Sequence, residues 1–129
     1  MVPTIERRAC PRFTIPGALV RYQKSRLFGK RTEWDEQSCP LFDLSRGGVR
    51  FLAKESPPLD AKVDLELTVP GEKNPLKLAG IFRWIADYQG DKFRYSVGVQ
   101  FNPYGNRKKH NPLESLDQII GLENLFLKT

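Results

Sequence analysis

Two stretches in the second half of the chain alternate cleanly. Over residues 61–69, Val63, Leu65, Leu67 and Val69 fall on one face, and Lys62, Asp64, Glu66 and Thr68 on the other. Such alternation predicts a half-buried antiparallel strand. Over 93–101, Phe93, Tyr95, Val97, Val99 and Phe101 alternate with Arg94, Ser96, Gly98 and Gln100. Gly98 inside that strand points to a bulge or a close contact. Between them, Leu76 to Tyr88 is apolar on both parities and predicts a long strand carrying Trp84. Pro70-Gly71 and Gly90-Asp91 supply the turns.

Upstream, Ala18–Tyr22, Cys39–Asp43 and Val49–Ala53 predict three shorter strands, and the polar run 29–37 predicts a turn-like connector. Ser45-Arg46-Gly47-Gly48 separates two of them; its glycine pair marks a turn needing positive φ or close backbone approach. Beyond Asn102-Pro103 a polar connector leads to Asn111-Pro112, which opens a helical pattern. Leu113, Leu116, Ile120 and Leu127 form its stripe, widened by Ile119, Leu122 and Phe126. About six strands with no helix between them, then one helix, predict an all-β fold with a C-terminal helix: a small antiparallel barrel or sandwich.

A length of 129 residues fits one domain. With 40% hydrophobic and 28% charged residues, the chain is neither fully disordered nor membrane-embedded. Its apolar runs are too short to span a bilayer, and the first residues lack a stretch of signal-peptide length, so a cytoplasmic protein without a membrane partner is expected. Cys10, Cys39 and His110 are too few for a four-ligand zinc site, and two cysteines make no disulfide framework. The sequence contains no GxSxG elbow, GxxxxGK[ST] loop or GxGxxG turn. No histidine lies in a segment that could activate either thiol. The expectation is a binding module, not an enzyme, with no catalytic residues, metal or resident cofactor.

Charge localises the binding chemistry. The net charge is +6, yet residues 1–31 carry eight cations against the single acid Glu6, and the remaining residues are close to neutral. A cationic arm on a neutral body predicts a local anion site. Mutual repulsion predicts that the arm before about Phe13 is mobile until an anion orders it.

Two motifs sit in and just after that arm. Arg8-Ala9-Cys10-Pro11-Arg12 is an RxxxR, preceded by Arg7. Asp43-Leu44-Ser45-Arg46-Gly47-Gly48 is a DxSxxG between two short strands. RxxxR alone occurs in ordinary basic tails, and DxSxxG alone reads as a hairpin turn. Together, in this order and ahead of a β-rich body, they strongly resemble the PilZ domain family of bacterial cyclic di-GMP receptors. The resemblance extends over the arm, the barrel strands with YSVGVQF, and the closing helix.

The resemblance implies a six-stranded antiparallel split barrel over 18–110, a ligand-binding arm over 1–17 that wraps across one face, and a terminal helix over 111–129. It implies cyclic di-GMP as the ligand, bound by Arg8 and Arg12 together with Asp43, Ser45, Gly47 and Gly48. The chemistry agrees. An arginine fork matches guanine O6 and N7, and also phosphate oxygens. Asp43 can accept from guanine N1–H and the 2-amino group, the edge the arginines leave free. Ser45 adds a hydroxyl, and Gly47 with Gly48 lets backbone come close. A basic residue at Arg7 goes, in the family, with a stacked pair of ligands, so one or two molecules per chain are expected. Trp84 is either a guanine-facing aromatic, as in some PilZ proteins, or a barrel-core tryptophan.

The implied function is an adaptor whose arm changes conformation on binding and signals to an unidentified partner protein, as a monomer or weak dimer. Two alternatives stand beside it: a basic barrel for single-stranded nucleic acid, and a PilZ-like scaffold that no longer binds nucleotide. Cations gathered in the arm rather than on strand faces argue against the first. Intact motifs argue against the second.

Overall fold

The computed structural model describes residues 10–25 and 33–127. Six strands form a closed antiparallel barrel: β1 Leu19–Lys24, β2 Glu36–Ser45, β3 Gly48–Ala53, β4 Lys62–Thr68, β5 Leu76–Asp87 and β6 Tyr95–Phe101. Their order around the barrel is β1-β2-β3-β6-β5-β4, with β1 pairing back onto β4. One helix, α1 (Leu113–Phe126), follows. Closure removes the exposed strand edges that an open sheet would leave.

The alternating faces behave as the pattern demands. Val63, Leu65 and Leu67 of β4 point inward, as do Val97, Val99 and Phe101 of β6. Tyr22, Phe51 and Phe82 meet at the barrel centre, with Tyr22 5.5 Å from each of the other two ring centroids. The Tyr22 hydroxyl donates to the Glu36 carboxylate at 2.9 Å, so the buried phenol keeps a partner.

Part of the basic arm belongs to this core. Phe13 exchanges two backbone hydrogen bonds with Leu44, both 2.9 Å, and Phe13 and Ile15 are buried. The arm is therefore clamped onto β2 from Phe13 onward, which brings Arg12 to the end of the DxSxxG strand. The arm's first nine residues, with Arg7, Arg8 and most of the stretch expected to be mobile, lie outside the described residues.

Three local expectations change. β2 begins at Glu36, inside the run read as a connector. The helix starts at Leu113 with Pro112 in the capping position. It buries Ser115, Ile119, Leu122 and Glu123, while Leu113 of the expected stripe stays 45% exposed. The reason is polar: the barrel-facing side of α1 is fixed by Glu123, which meets Arg46, as much as by leucines.

Gly48 is glycine because β6 backbone passes too close for a side chain. It pairs with Gln100 across β3 and β6, and a Cβ at Gly48 would stand 2.4 Å from the Val99 carbonyl oxygen. Gly48 is not among the positive-φ positions, so close approach, to β6 backbone, is the operative reason. Gly48→Ala should lower stability by about 1–3 kcal/mol, since backbone must move to admit the methyl. A melting curve checks this; an unchanged transition would contradict it.

Candidate functional site

The site grows from a two-residue turn. Ser45 pairs with Gly48 around Arg46-Gly47, so counting outward puts Leu44 opposite Val49 and Asp43 opposite Arg50. Arg50 in turn faces Gly98 on β6, and Gly98 faces Trp84 on β5. Asp43, Arg50, Gly98 and Trp84 thus form one row across four strands. A Cβ at Gly98 would stand 3.2 Å from Trp84 Cβ and 3.8 Å from Arg50 Cγ. Glycine there leaves the groove in which the Arg50 stem and the indole lie.

Two bulges open the row to solvent. The β2–β3 register slips between Leu41 and Asp43, and the β5–β6 register slips between Phe82 and Trp84. The first slip puts Asp43 opposite outward Arg50, with Phe42 before it 46% exposed; the second turns out Trp84, which is 43% exposed. Bulges commonly re-aim side chains beside functional sites. The core alternative for Trp84 is thereby excluded. Phe82, two residues earlier, is fully buried, and unbroken alternation would have put Trp84 beside it.

Asp43 is the polar centre of the site and only 6% exposed. Arg12 Nη1 donates to its Oδ1 at 3.1 Å. Arg50 grips it as a fork: Nε lies 2.9 Å from Oδ1 and 3.1 Å from Oδ2, and Nη2 donates to Oδ2. These hydrogen bonds, against a smaller opposing effect of burial, raise the Arg50 pKa above its ordinary value. The Arg50 guanidinium carbon lies 4.8 Å from the Phe42 ring centroid and 5.9 Å from that of Trp84, both within cation–π range. A cleft of about 300 Å³ runs beside it, lined by Arg12, Arg50, Arg83, Trp84 and Gly98 with Val49 and Val99.

Ser45 is occupied locally. The Gly47 N–H donates to its hydroxyl at 3.3 Å, and the hydroxyl donates to the Gly48 carbonyl at 3.4 Å. It braces the turn. Arg46, between them, reaches α1: Nε and Nη2 donate to the two Glu123 carboxylate oxygens at 3.1 and 2.8 Å. The Tyr104 hydroxyl donates to the Arg46 carbonyl at 2.5 Å. The motif turn is thus tied directly to the terminal helix.

Of the residues singled out in the sequence, Arg12 and Trp84 line one cleft, and Asp43 is bonded to Arg12 and Arg50 of its wall. Ser45, Gly47 and Gly48 form the turn behind it. Arg7 and Arg8 lie outside the described residues. Sequence reasoning missed Arg50 and Phe42, and also Arg83, whose guanidinium donates to Gln100 Oε1 at 3.2 Å and Asp60 Oδ1 at 2.7 Å. The signal for Arg50 was present: once Arg46-Gly47 is the turn, Asp43 and Arg50 are cross-strand partners. Cys39 is buried, and burial followed by the nearby Glu36 carboxylate pushes its thiol pKa up, away from nucleophilic use. Among the described residues no group of three or more His, Cys, Asp or Glu side chains could hold a metal. No helix among them is long and apolar enough to cross a membrane.

Comparison with known proteins agrees with this architecture. The PilZ domain model matches residues 6–118. This chain belongs to the PilZ domain family. Its fold is similar to that of the Bacillus subtilis inhibitor of motility (MotI/DgrA), with a TM-score of 0.63 and 14% identity, covering 92% of this chain and 49% of that one. It is also similar to MrkH in the K. pneumonia MrkH–c-di-GMP complex, with a TM-score of 0.63 and 19% identity, covering 94% of this chain and 53% of that one. The chain spans about half the length of these two proteins. No curated protein sequence gives a significant match.

Proposed function

We propose that this chain is a cyclic di-GMP receptor of the binding and adaptor type, without enzymatic activity. The observation that carries the reading is the convergence of both family motifs on one cleft, Arg12 from the arm and Asp43 from the β2–β3 hairpin, beside an exposed Trp84. Membership of the PilZ family supports it, as does fold similarity to MrkH, whose structure is a c-di-GMP complex. Arg12, with Arg8 and Arg7 from the preceding arm, supplies guanidinium groups for phosphates and for guanine O6 and N7. Asp43 reads the opposite guanine edge. Ser45, Gly47 and Gly48 hold the turn that presents it. Trp84 offers its exposed face for stacking.

The output follows from the same geometry. Ligand drawn onto Arg12 and Asp43 acts on the residues just before the two partners of the Phe13–Leu44 clamp, and Arg46 links the turn to Glu123 of α1. A change at the cleft thereby reaches the arm and the helix, the surfaces a partner protein would read in the cytoplasm. The alternative, single-stranded nucleic acid, uses rows of aromatics with cations alongside. Titration calorimetry with cyclic di-GMP, GTP and single-stranded DNA separates the two. Saturable heat with cyclic di-GMP alone, at one or two ligands per chain, is the expected result. Binding of DNA in preference to cyclic di-GMP overturns the reading.

Trp84→Ala offers a sharper check. Base–aromatic stacking contributes about 1–3 kcal/mol per base, so cyclic di-GMP affinity should fall roughly 5- to 150-fold. Because the indole is 43% exposed, the melting temperature should hardly change. Unaltered affinity in this variant removes Trp84 from the ligand surface.

A further inference from the structure

Arg50 lies in neither motif, yet it holds the carboxylate on which the cyclic di-GMP reading depends, and the inference here rests on that reading. Its Nε–H and Nη2–H face the two oxygens of Asp43 as a pair of near-parallel donors. Guanine presents the same pattern along its N1–H and 2-amino edge. A carboxylate offers about four lone-pair sites. Arg50 takes the inner fork that spans both oxygens, and Arg12 takes a further site on Oδ1. In the free chain the fork that would read guanine is already filled.

We propose that Arg50 is an internal stand-in for guanine, and that cyclic di-GMP binds by exchanging its guanine edge for the Arg50 fork on Asp43. The surroundings permit the exchange. The Arg50 side chain is 32% exposed and lines the cleft. Phe42 and Trp84 flank it within cation–π range, and Gly98 leaves its stem unobstructed. Released from Asp43, the guanidinium keeps its aromatic neighbours and faces a cleft that draws anions. The cost of release falls only on ligands that use the Asp43 fork. Arg50 therefore sets the cyclic di-GMP concentration at which the receptor responds. It leaves untouched the weak binding of an adenine ligand, which has no donor pair for that fork.

Arg50→Lys is the informative variant. Lysine keeps the positive charge in the cleft but cannot fork. Weakening one charge-assisted contact on Asp43 should tighten cyclic di-GMP binding about tenfold by calorimetry, with cyclic di-AMP binding unchanged. Combining it with Asp43→Ala should abolish the gain. In the wild type, the Arg50 Nε–H resonance should shift on adding cyclic di-GMP and not on adding cyclic di-AMP, a readout independent of any variant. Equal or weaker cyclic di-GMP binding by Arg50→Lys beside a binding wild type, or an Arg50 resonance unmoved at saturation, overturns the exchange alone. Failure of the wild type to bind cyclic di-GMP at all overturns the receptor reading and the exchange with it.

Discussion

Arg12→Ala should weaken cyclic di-GMP binding about tenfold or more while barely moving the melting temperature of the free chain. The two halves of this expectation have separate causes. In the free chain Arg12 makes one hydrogen bond to Asp43 at 3.1 Å, from a side chain that is 37% exposed. A pair that wet contributes between about 0 and 1 kcal/mol to stability. Asp43 also keeps the Arg50 fork when Arg12 is gone. The clamp of the arm onto β2 runs through Phe13 backbone and side chain, not through Arg12. In the proposed complex the same guanidinium would meet phosphate oxygens or guanine O6 and N7, and hydrogen bonds to charged groups contribute about 1.5–3 kcal/mol each. Calorimetry and a melting curve on the same variant test both halves. A large fall in melting temperature with affinity retained would make Arg12 structural and would falsify the assignment.

What the sequence disclosed of the fold follows from where side chains are buried on one face only. β4 and β6 alternate without interruption, so their period is legible. β2 is not, because its first residues are polar for a structural reason. Glu36 points into a ring of donors: the Tyr22 hydroxyl and the backbone N–H groups of Lys54 and Glu55. A strand that begins with a carboxylate satisfying these donors and the Cys39 thiol reads, in hydropathy, as a loop. The helix face was read through Leu116, Ile119, Leu122, Phe126 and Leu127, which do pack on the core, but its polar members were missed for a related reason. Glu123 is buried, yet no hydrophobic pattern can call a glutamate buried without its partner Arg46, 77 positions away in sequence.

The site was legible where residue type alone carries the chemistry. Arg12 and Asp43 were found through their motifs, and both line or border the cleft. Trp84 remained open between two roles because its stretch is apolar on both parities, so alternation assigns it no face. Only the bulge between Phe82 and Trp84 turns it outward, and Gly98, its one mark in the sequence, does not say which strand bulges or where. Arg50 was within reach of register counting from Arg46-Gly47. Its significance depends on a fact that counting does not supply, namely that Gly98 and the two bulges leave its guanidinium between Phe42 and Trp84.

Asp43 gives the most demanding test, because it is a test of what the ligand must look like. The wild type should prefer cyclic di-GMP over cyclic di-AMP by several orders of magnitude. Adenine has no 2-amino group, and its N1 is an acceptor that would face the Asp43 carboxylate. Its 6-amino group would face arginine donors where guanine presents O6. Each buried polar group left unpaired costs roughly 1–3 kcal/mol, more when charged, and both edges of both bases incur it. Asp43→Ala should lose cyclic di-GMP affinity and with it part of the discrimination. Asp43→Asn keeps one acceptor oxygen and should retain more of both, though its amide N–H groups oppose the Arg12 and Arg50 donors in the free chain. The competing view makes Asp43 a turn cap, whose loss lowers stability and leaves the guanine preference intact. The contacts speak against it: the Gly47 N–H is bonded by the Ser45 hydroxyl, while Asp43 bonds only arginines among the described residues. Stability alone is a poor arbiter, since Asp43→Ala also strips Arg12 and Arg50 of their shared acceptor. The ratio of the two ligand affinities decides it, and an unchanged ratio in Asp43→Ala removes Asp43 from the reading of guanine.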